Sequence, residues 1–310
     1  MDFKHIPVLL EPTIDALCIK PGGIYVDGTL GGAGHSMQIA ARLQNGRLIG
    51  IDQDESAIQA ATEVLQEYSH IVTIIHDNFK NVNSVLADLG IDAIDGALLD
   101  IGVSSAQLDR KERGFSYLSD FAIDMRMNTR AEFSAYNIVN EYSESKLTEI
   151  IYKYGEERWA KRIAQFIADA RRTEPIKTTG QLVKIIEAAI PAAARAEGGH
   201  PAKRTFQALR IETNGELEIL EDSIRAFADK LKSGGRLALI TFHSLEDRIV
   251  KETFADLATG CKCPKTLPVC VCGNQPKVKL ITKKPITASE QELLNNTRAK
   301  SAKLRVIEKL

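Results

Sequence analysis

Apolar and polar positions alternate in blocks along the first hundred residues. "GIYVDGT" (23–29) reads as a buried strand and 35–43 as the helix after it. "GRLIGID" (46–52) is a second strand, followed over 56–68 by an amphipathic helix with Ala57, Ala61, Val64, Leu65 and Tyr68 on one face. "IVTIIHDNF" (71–79) is a third strand, 82–89 a third helix, and "IDGALLDIG" (94–102) a fourth strand. Nearly continuous apolar strands alternating with helical runs predict a parallel sheet covered on both faces, an α/β doubly wound core.

The alternation stops at about Gln107 and resumes after Ile211. The intervening block is helical or irregular, with helical spacing over 143–155 and 157–172. "TTGQLVKIIEAAIP" places Thr178 and Gln181 at capping-box spacing and closes at Pro191. The pattern therefore predicts a core built from 1–106 and 212–310, with a helical insertion over 107–211. In the resumed core, 216–231 is a long amphipathic helix, and 234–243, 277–283 and 303–309 are three more strands, the last two joined by a loop. Seven strands arranged in this way imply a mainly parallel sheet ending in an antiparallel pair.

Composition adds little to this picture. Hydrophobic residues at 44% and charged residues at 26% of 310 describe an ordinary globular protein. No apolar run approaches the length needed to span a bilayer, and the N-terminus lacks the features of a secretion signal. A cytoplasmic enzyme without membrane association is expected. The net charge of −1 excludes a generally basic coat. The stretch from Lys277 to Leu310, however, carries nine Lys/Arg against three Glu, a net +6. It reads equally as a solvated end or as a polyanion contact.

Candidate chemistry begins at "YVDGTLGGAGHS" (25–36), where the first strand turns into the first helix, the usual ligand edge of such folds. A dinucleotide fingerprint fails because Met37 stands where its third glycine belongs, and a P-loop fails for lack of a lysine. Asp52, ending the second strand, is placed to accept hydrogen bonds from a ribose; "DQDES" also allows it to be a helix cap. S-adenosylmethionine suits the segment better than NAD, because it has a ribose but no pyrophosphate. Phe79 is a candidate to stack on an adenine, or else a core residue. Asp100 ends the fourth strand, where the group to be methylated must lie.

"HIPVLLEP", "YVDGTLGGAGHS", "DQD", "DNF", "LLDIGVSSAQLD", "GFSY…DMRMN", "PAKRTFQALRI", "ITFHSLEDR" and "CKCP…CVCG" follow one another from His5 toward the C-terminus. In that order they resemble the bacterial methyltransferases that N4-methylate a cytidine of small-subunit ribosomal RNA. The resemblance implies a Rossmann-like seven-stranded methyltransferase core with S-adenosyl-L-methionine as cofactor. It implies cofactor contacts at Ala33, Gly34, His35, Asp52, Phe79, Asp100 and Gln107. It also implies small-subunit ribosomal RNA, or the assembled small ribosomal subunit, as partner. The oligomeric state stays open, a homodimer included.

The amine of cytosine is a weak nucleophile because its lone pair is delocalised into the ring. An enzyme must orient it, accept hydrogen bonds from its protons and drain one proton as the bond forms. The Asp/Asn-Pro-Pro-aromatic loop of many amino-methyltransferases is replaced here by "DIGVSS". Asp109, Arg126 and His243 are the candidates to face the base, although Arg126 could equally be an ordinary ion pair and His243 a satisfied residue at a strand end. No catalytic base follows. C5 methylation would need a thiolate near the sulfonium, and no cysteine stands at the ends of strands four or five. Cys261, Cys263, Cys270 and Cys272 could supply four thiolates to zinc. Their spacing is not that of a standard finger, though, and Pro264 and Pro268 fit a compact reduced loop, so no metal is assigned. A nicotinamide oxidoreductase lacks its third glycine. An RNA-binding module without catalysis would not need Asp52, Phe79 and Asp100 along one ligand edge. From the residues alone, a DNA or protein methyltransferase remains the competing class.

Overall fold

Seven strands form one sheet in a computed structural model that describes residues 7–196, 199–261, 263, 269 and 271–310. They are β1 (Ile24–Asp27), β2 (Arg47–Asp52), β3 (Val72–His76), β4 (Ile94–Asp100), β5 (Leu231–Thr241), β6 (Val278–Leu280) and β7 (Lys303–Lys309). Their order is β3-β2-β1-β4-β5-β7-β6, with parallel pairing from β3 through β5. The last pair is arranged differently from a simple terminal hairpin. β7 slots between β5 and β6 and runs antiparallel to both. Leu304, Val306 and Ile307 are fully buried there, so the chain's last strand belongs to the core and β6 takes the edge.

Strand limits tighten where side chains cap the turns. Asp27 accepts the Thr29 N–H at 3.1 Å and ends β1. Asn78 accepts the Lys80 N–H at 3.0 Å, starting a 3-10 turn where the apolar pattern extended β3 to 79. Two apolar clusters cover the two sheet faces. One gathers Val26, Ile49, Leu99, Phe227 and Leu239, and the other Tyr25, Leu48, Leu98, Ile240 and Leu304. The strand residues alternate between the clusters, as the pleat dictates. A short helix, Glu290–Asn295, lies in the β6–β7 connection that the sequence pattern leaves as a loop. Two longer helices, Leu10–Leu17 and Ser244–Ala258, also lie outside the predicted set.

The chain divides into two compact units: residues 1–102 with 217–310, which contain the sheet, and Val103–Glu216, which is helical. In the second unit, helices Glu144–Gly155, Ala160–Ala170, Thr179–Ala189 and Lys203–Asn214 pack through buried Leu147, Ile151, Ile163, Ile167, Ile186 and Leu209. Thr178 and Gln181 form the expected capping box. Gly155 ends its helix so close to the neighbouring chain that a Cβ would lie 2.7 Å from the Arg204 carbonyl oxygen. Backbone cannot yield as a side chain can, so Gly155→Ala is expected to destabilise this unit by about 1–3 kcal/mol. Urea denaturation followed by circular dichroism checks this. Among the described residues, no helix is long and apolar enough to cross a membrane.

Candidate cofactor edge

The segment from Asp27 to Ser36 leaves β1 through a tight turn and enters the helix Gly34–Ala40. Protein packing accounts for two of its glycines. A Cβ on Gly28 would collide with Leu99 and approach the Phe79 Cβ to 3.1 Å, and one on Gly34 would collide with Pro7. Ala33 adopts φ 58°, a left-handed conformation unusual for a residue with a Cβ, and is fully buried. Its N–H donates to the Leu30 carbonyl at 2.7 Å. Asp27 holds the turn from inside, accepting from Ser36 Oγ at 2.7 Å as well as from Thr29. Burial raises the Asp27 pKa against the pull of these two donors.

Asp52 ties β2 to the turn. Its Oδ2 accepts the Gly31 N–H and its Oδ1 the Asp54 N–H, both at 2.8 Å. The helix that follows is capped by Asp54, which accepts the Ser56 N–H. Asp52 is therefore not the cap of that helix. Each of its oxygens keeps further acceptor capacity. Burial, together with the charges of Asp54 and Asp27, pushes it up to about 6 despite the two backbone donors. Phe79 sits half-buried in the 3-10 turn after β3, packed against the core beside Gly28.

Asp100 is strongly perturbed. Its N–H donates to Thr29 Oγ1 at 2.6 Å, joining the ends of β4 and β1. Its Oδ1 is buried with no hydrogen-bond partner among the described residues. Burial first, then the charges of Asp27 and Glu246, push it up to about 8. His35 Nε2 lies 3.1 Å from the Val8 carbonyl and so carries the ring proton in the neutral form. Its Nδ1 is then the acceptor side, 3.9 Å from Asp100 Oδ2. Asp27, Asp52, Asp100 and Glu246 thus bring acidic groups to the ends of four adjacent parallel strands. That arrangement holds a cation readily.

His243 follows β5 and caps the helix Ser244–Ala258. Its Nδ1 accepts the Glu246 N–H at 3.4 Å, and the Glu246 carboxylate accepts the Phe242 and His243 N–H groups. The ring is thereby oriented by the fold, with Nε2 2.8 Å from Glu246 Oε1. In the helical unit, Arg126 is paired with Asp124 through two bonds of 2.9 and 2.6 Å. Gln107 is buried in a capping box with Ser104, and Asp109 lies exposed at the end of the same short helix. The structure thus gathers Ala33, Gly34, His35, Asp52, Phe79, Asp100 and His243 at one edge of the first unit, while Gln107, Asp109 and Arg126 belong to the second.

Sequence reasoning missed Asp27 and Glu246. The signal for Asp27 was a carboxylate closing an otherwise apolar strand; for Glu246 it was the capping-box spacing from His243. It also missed a cavity of about 270 Å³ in the helical unit, lined by Arg158, Trp159, Arg195, His200, Lys203 and Arg204 among others. The Trp159 indole N–H there is buried without an acceptor among the described residues. The basic stretch 277–310 is largely committed to ion pairs: Lys277 and Lys309 with Asp229, Lys279 with Glu308, and Lys303 and Arg305 with Asp247.

Sheet order and site together define a Rossmann-like methyltransferase core. The chain matches the MraW methylase family model over residues 2–310, and it belongs to that family. It is 59% identical over 311 residues to a Lachnospira eligens protein named ribosomal RNA small subunit methyltransferase H, covering 100% of this chain and 99% of that one. Relatives of the same name from Clostridium botulinum (strain Loch Maree) and Heliobacterium modesticaldum are each 55% identical, with full coverage of both chains. The protein is a methyltransferase that uses S-adenosylmethionine. The edge fits that cofactor. The unpartnered, buried Asp100 oxygen among other carboxyls suits a sulfonium and an ammonium, and Asp52 has acceptor capacity left for a ribose diol.

Proposed function

We propose that this methyltransferase acts in the cytoplasm on small-subunit ribosomal RNA and methylates N4 of a cytidine. The RNA assignment is supported by full-length relatives at 55–59% identity whose names specify that substrate. One observation carries the cofactor side: Asp100 is a half-buried carboxyl, pushed up to about 8, beside further acidic groups and with a buried oxygen that no described residue satisfies. S-adenosylmethionine, when bound, supplies a methyl group activated by positive sulfur. In this reading Asp52 fixes the ribose and Phe79 offers a face to the adenine. Ala33, Gly34 and His35 shape the wall of the turn. Asp100 becomes charged against the cofactor cation, and Gln107 is a further proposed contact.

The methylated amine is a strong acid and sheds its extra proton readily, so the protein's main task is orientation. Of the candidates to face the base, His243 has a ring pre-oriented by Glu246; Asp109 and Arg126 are the candidates from the helical unit. N4 is favoured over C5 because the described cysteines lie elsewhere. Cys18 neighbours Arg236 in the first half of β5, and Cys261, Cys263 and Cys272 lie in the loop after the helix Ser244–Ala258. Digestion of methylated ribosomal RNA to nucleosides, with tandem mass spectrometry against both methylcytidine standards, tests the reading. N4-methylcytidine is expected; label only in C5-methylcytidine, or only in protein, overturns it.

The cationic cavity of the helical unit is the proposed contact for RNA phosphates. Arg195→Glu combined with Lys203→Glu should weaken RNA binding and lower the slope of log affinity against log salt by about 2. Affinity for S-adenosylmethionine should be unchanged. Filter binding at several salt concentrations gives both the loss and the slope.

A further inference from the structure

The segment 260–273 lies in sequence between the helix Ser244–Ala258 and β6, and methyl transfer gives its cysteines no role. Three of them converge. The Sγ atoms of Cys261, Cys263 and Cys272 all lie within 4.8 Å of one another, and those of Cys261 and Cys272 are 3.8 Å apart. A zinc ion held tetrahedrally by thiolates at about 2.3 Å requires sulfurs about 3.8 Å apart, so little movement would bring all three into its shell. A disulfide would use only two of them.

The backbone around the sulfurs supports the same conclusion. The Cys263 N–H is directed at Cys261 Sγ and the Val271 N–H at Cys263 Sγ, each at 3.4 Å. Such donors point the positive ends of their dipoles at the sulfurs, as suits a metal–thiolate shell. The neck of the loop is closed independently of the cysteines. Asn274 Nδ2 donates to the Thr259 and Gly260 carbonyls at 2.9 and 2.7 Å, and the Lys277 N–H donates to the Leu257 carbonyl at 2.9 Å. The incoming and outgoing chains are therefore clamped side by side before any metal binds.

We propose that Cys261, Cys263 and Cys272 bind a zinc ion that fixes this loop against the core. The ligand set is all sulfur, which selects soft or borderline metals over magnesium or calcium. Binding displaces the thiol protons, so occupancy falls in acid. Cys270 stands two residues before Cys272 in the sequence and lies outside the described residues, as do Pro264 and Pro268. The geometry rests on the three described thiols alone.

The test is metal analysis of the full-length chain, purified under reducing conditions, equilibrated with zinc and freed of loosely bound metal. About one zinc per chain is expected. The triple variant Cys261→Ser/Cys263→Ser/Cys272→Ser should retain less than about a tenth of that. It should bind S-adenosylmethionine with unchanged affinity, because the loop stands apart from the strand ends that carry the cofactor residues; this shows that the core still folds. Cobalt loaded in place of zinc should give an intense thiolate charge-transfer band that the variant lacks. Failure of the wild-type chain to hold zinc overturns the proposal, as does undiminished zinc in the triple variant. A Cys261–Cys272 disulfide in the native protein, or iron with inorganic sulfide in place of zinc, also overturns it.

Discussion

Asp52→Ala is expected to weaken S-adenosylmethionine binding by ten-fold or more. Two losses combine. The ribose hydroxyls lose a charged acceptor, and a charge-assisted bond is worth ~1.5–3 kcal/mol. The Gly31 and Asp54 N–H groups also lose the oxygens that hold the glycine turn to β2. Asp52→Asn separates the two effects: it keeps one oxygen for the backbone and removes the charge. Calorimetry should rank wild type tightest, Asn intermediate and Ala weakest. Because Asp52 is pushed up to about 6 in the ligand-free chain, wild-type affinity should also fall as pH drops through that value. Equal affinity in all three proteins would remove Asp52 from the cofactor site.

What was legible in the sequence follows from the range of the interactions involved. Strands β1, β2 and β4 and the second half of β5 are buried on both faces, and such strands show as apolar runs that no distant partner can disguise. The position of β7 was not legible, because insertion between β5 and β6 depends on pairings such as Arg236 with Glu308, which join distant parts of the chain. The helix Ser244–Ala258 did leave a trace in Val250, Phe254 and Leu257, spaced as one helical face. Its cap is a histidine, though, which is not among the usual N-cap residues. In the site, Asp52 and Asp100 stood out because each ends a strand. The repulsion among Asp27, Asp100 and Glu246 exists only once β1, β4 and β5 lie side by side.

That repulsion leads to the second large effect. A carboxyl ordinarily near 3.8 and held at about 8 in the folded chain binds its proton more tightly folded than unfolded. Its contribution to stability is complete below the ordinary value and is lost as pH rises through about 8. Asp100→Asn cannot ionise and escapes that loss. The melting temperature of the variant relative to wild type should therefore climb steadily with pH, by at least ~3 °C between pH 5 and pH 8.5 without ligand. Cofactor binding should respond in the opposite sense. A cation beside Asp100 stabilises its charged form, so below pH 8 wild-type binding expels a proton and tightens by up to about ten-fold per pH unit. The cofactor's own ammonium titrates in the same range, which makes the wild-type to Asn affinity ratio the proper readout. That ratio should grow from pH 6 to pH 8 and then level off. Calorimetry in two buffers of different ionisation enthalpy counts the proton directly. A flat ratio, with no proton released at pH 7, would show that the cofactor cation does not meet Asp100.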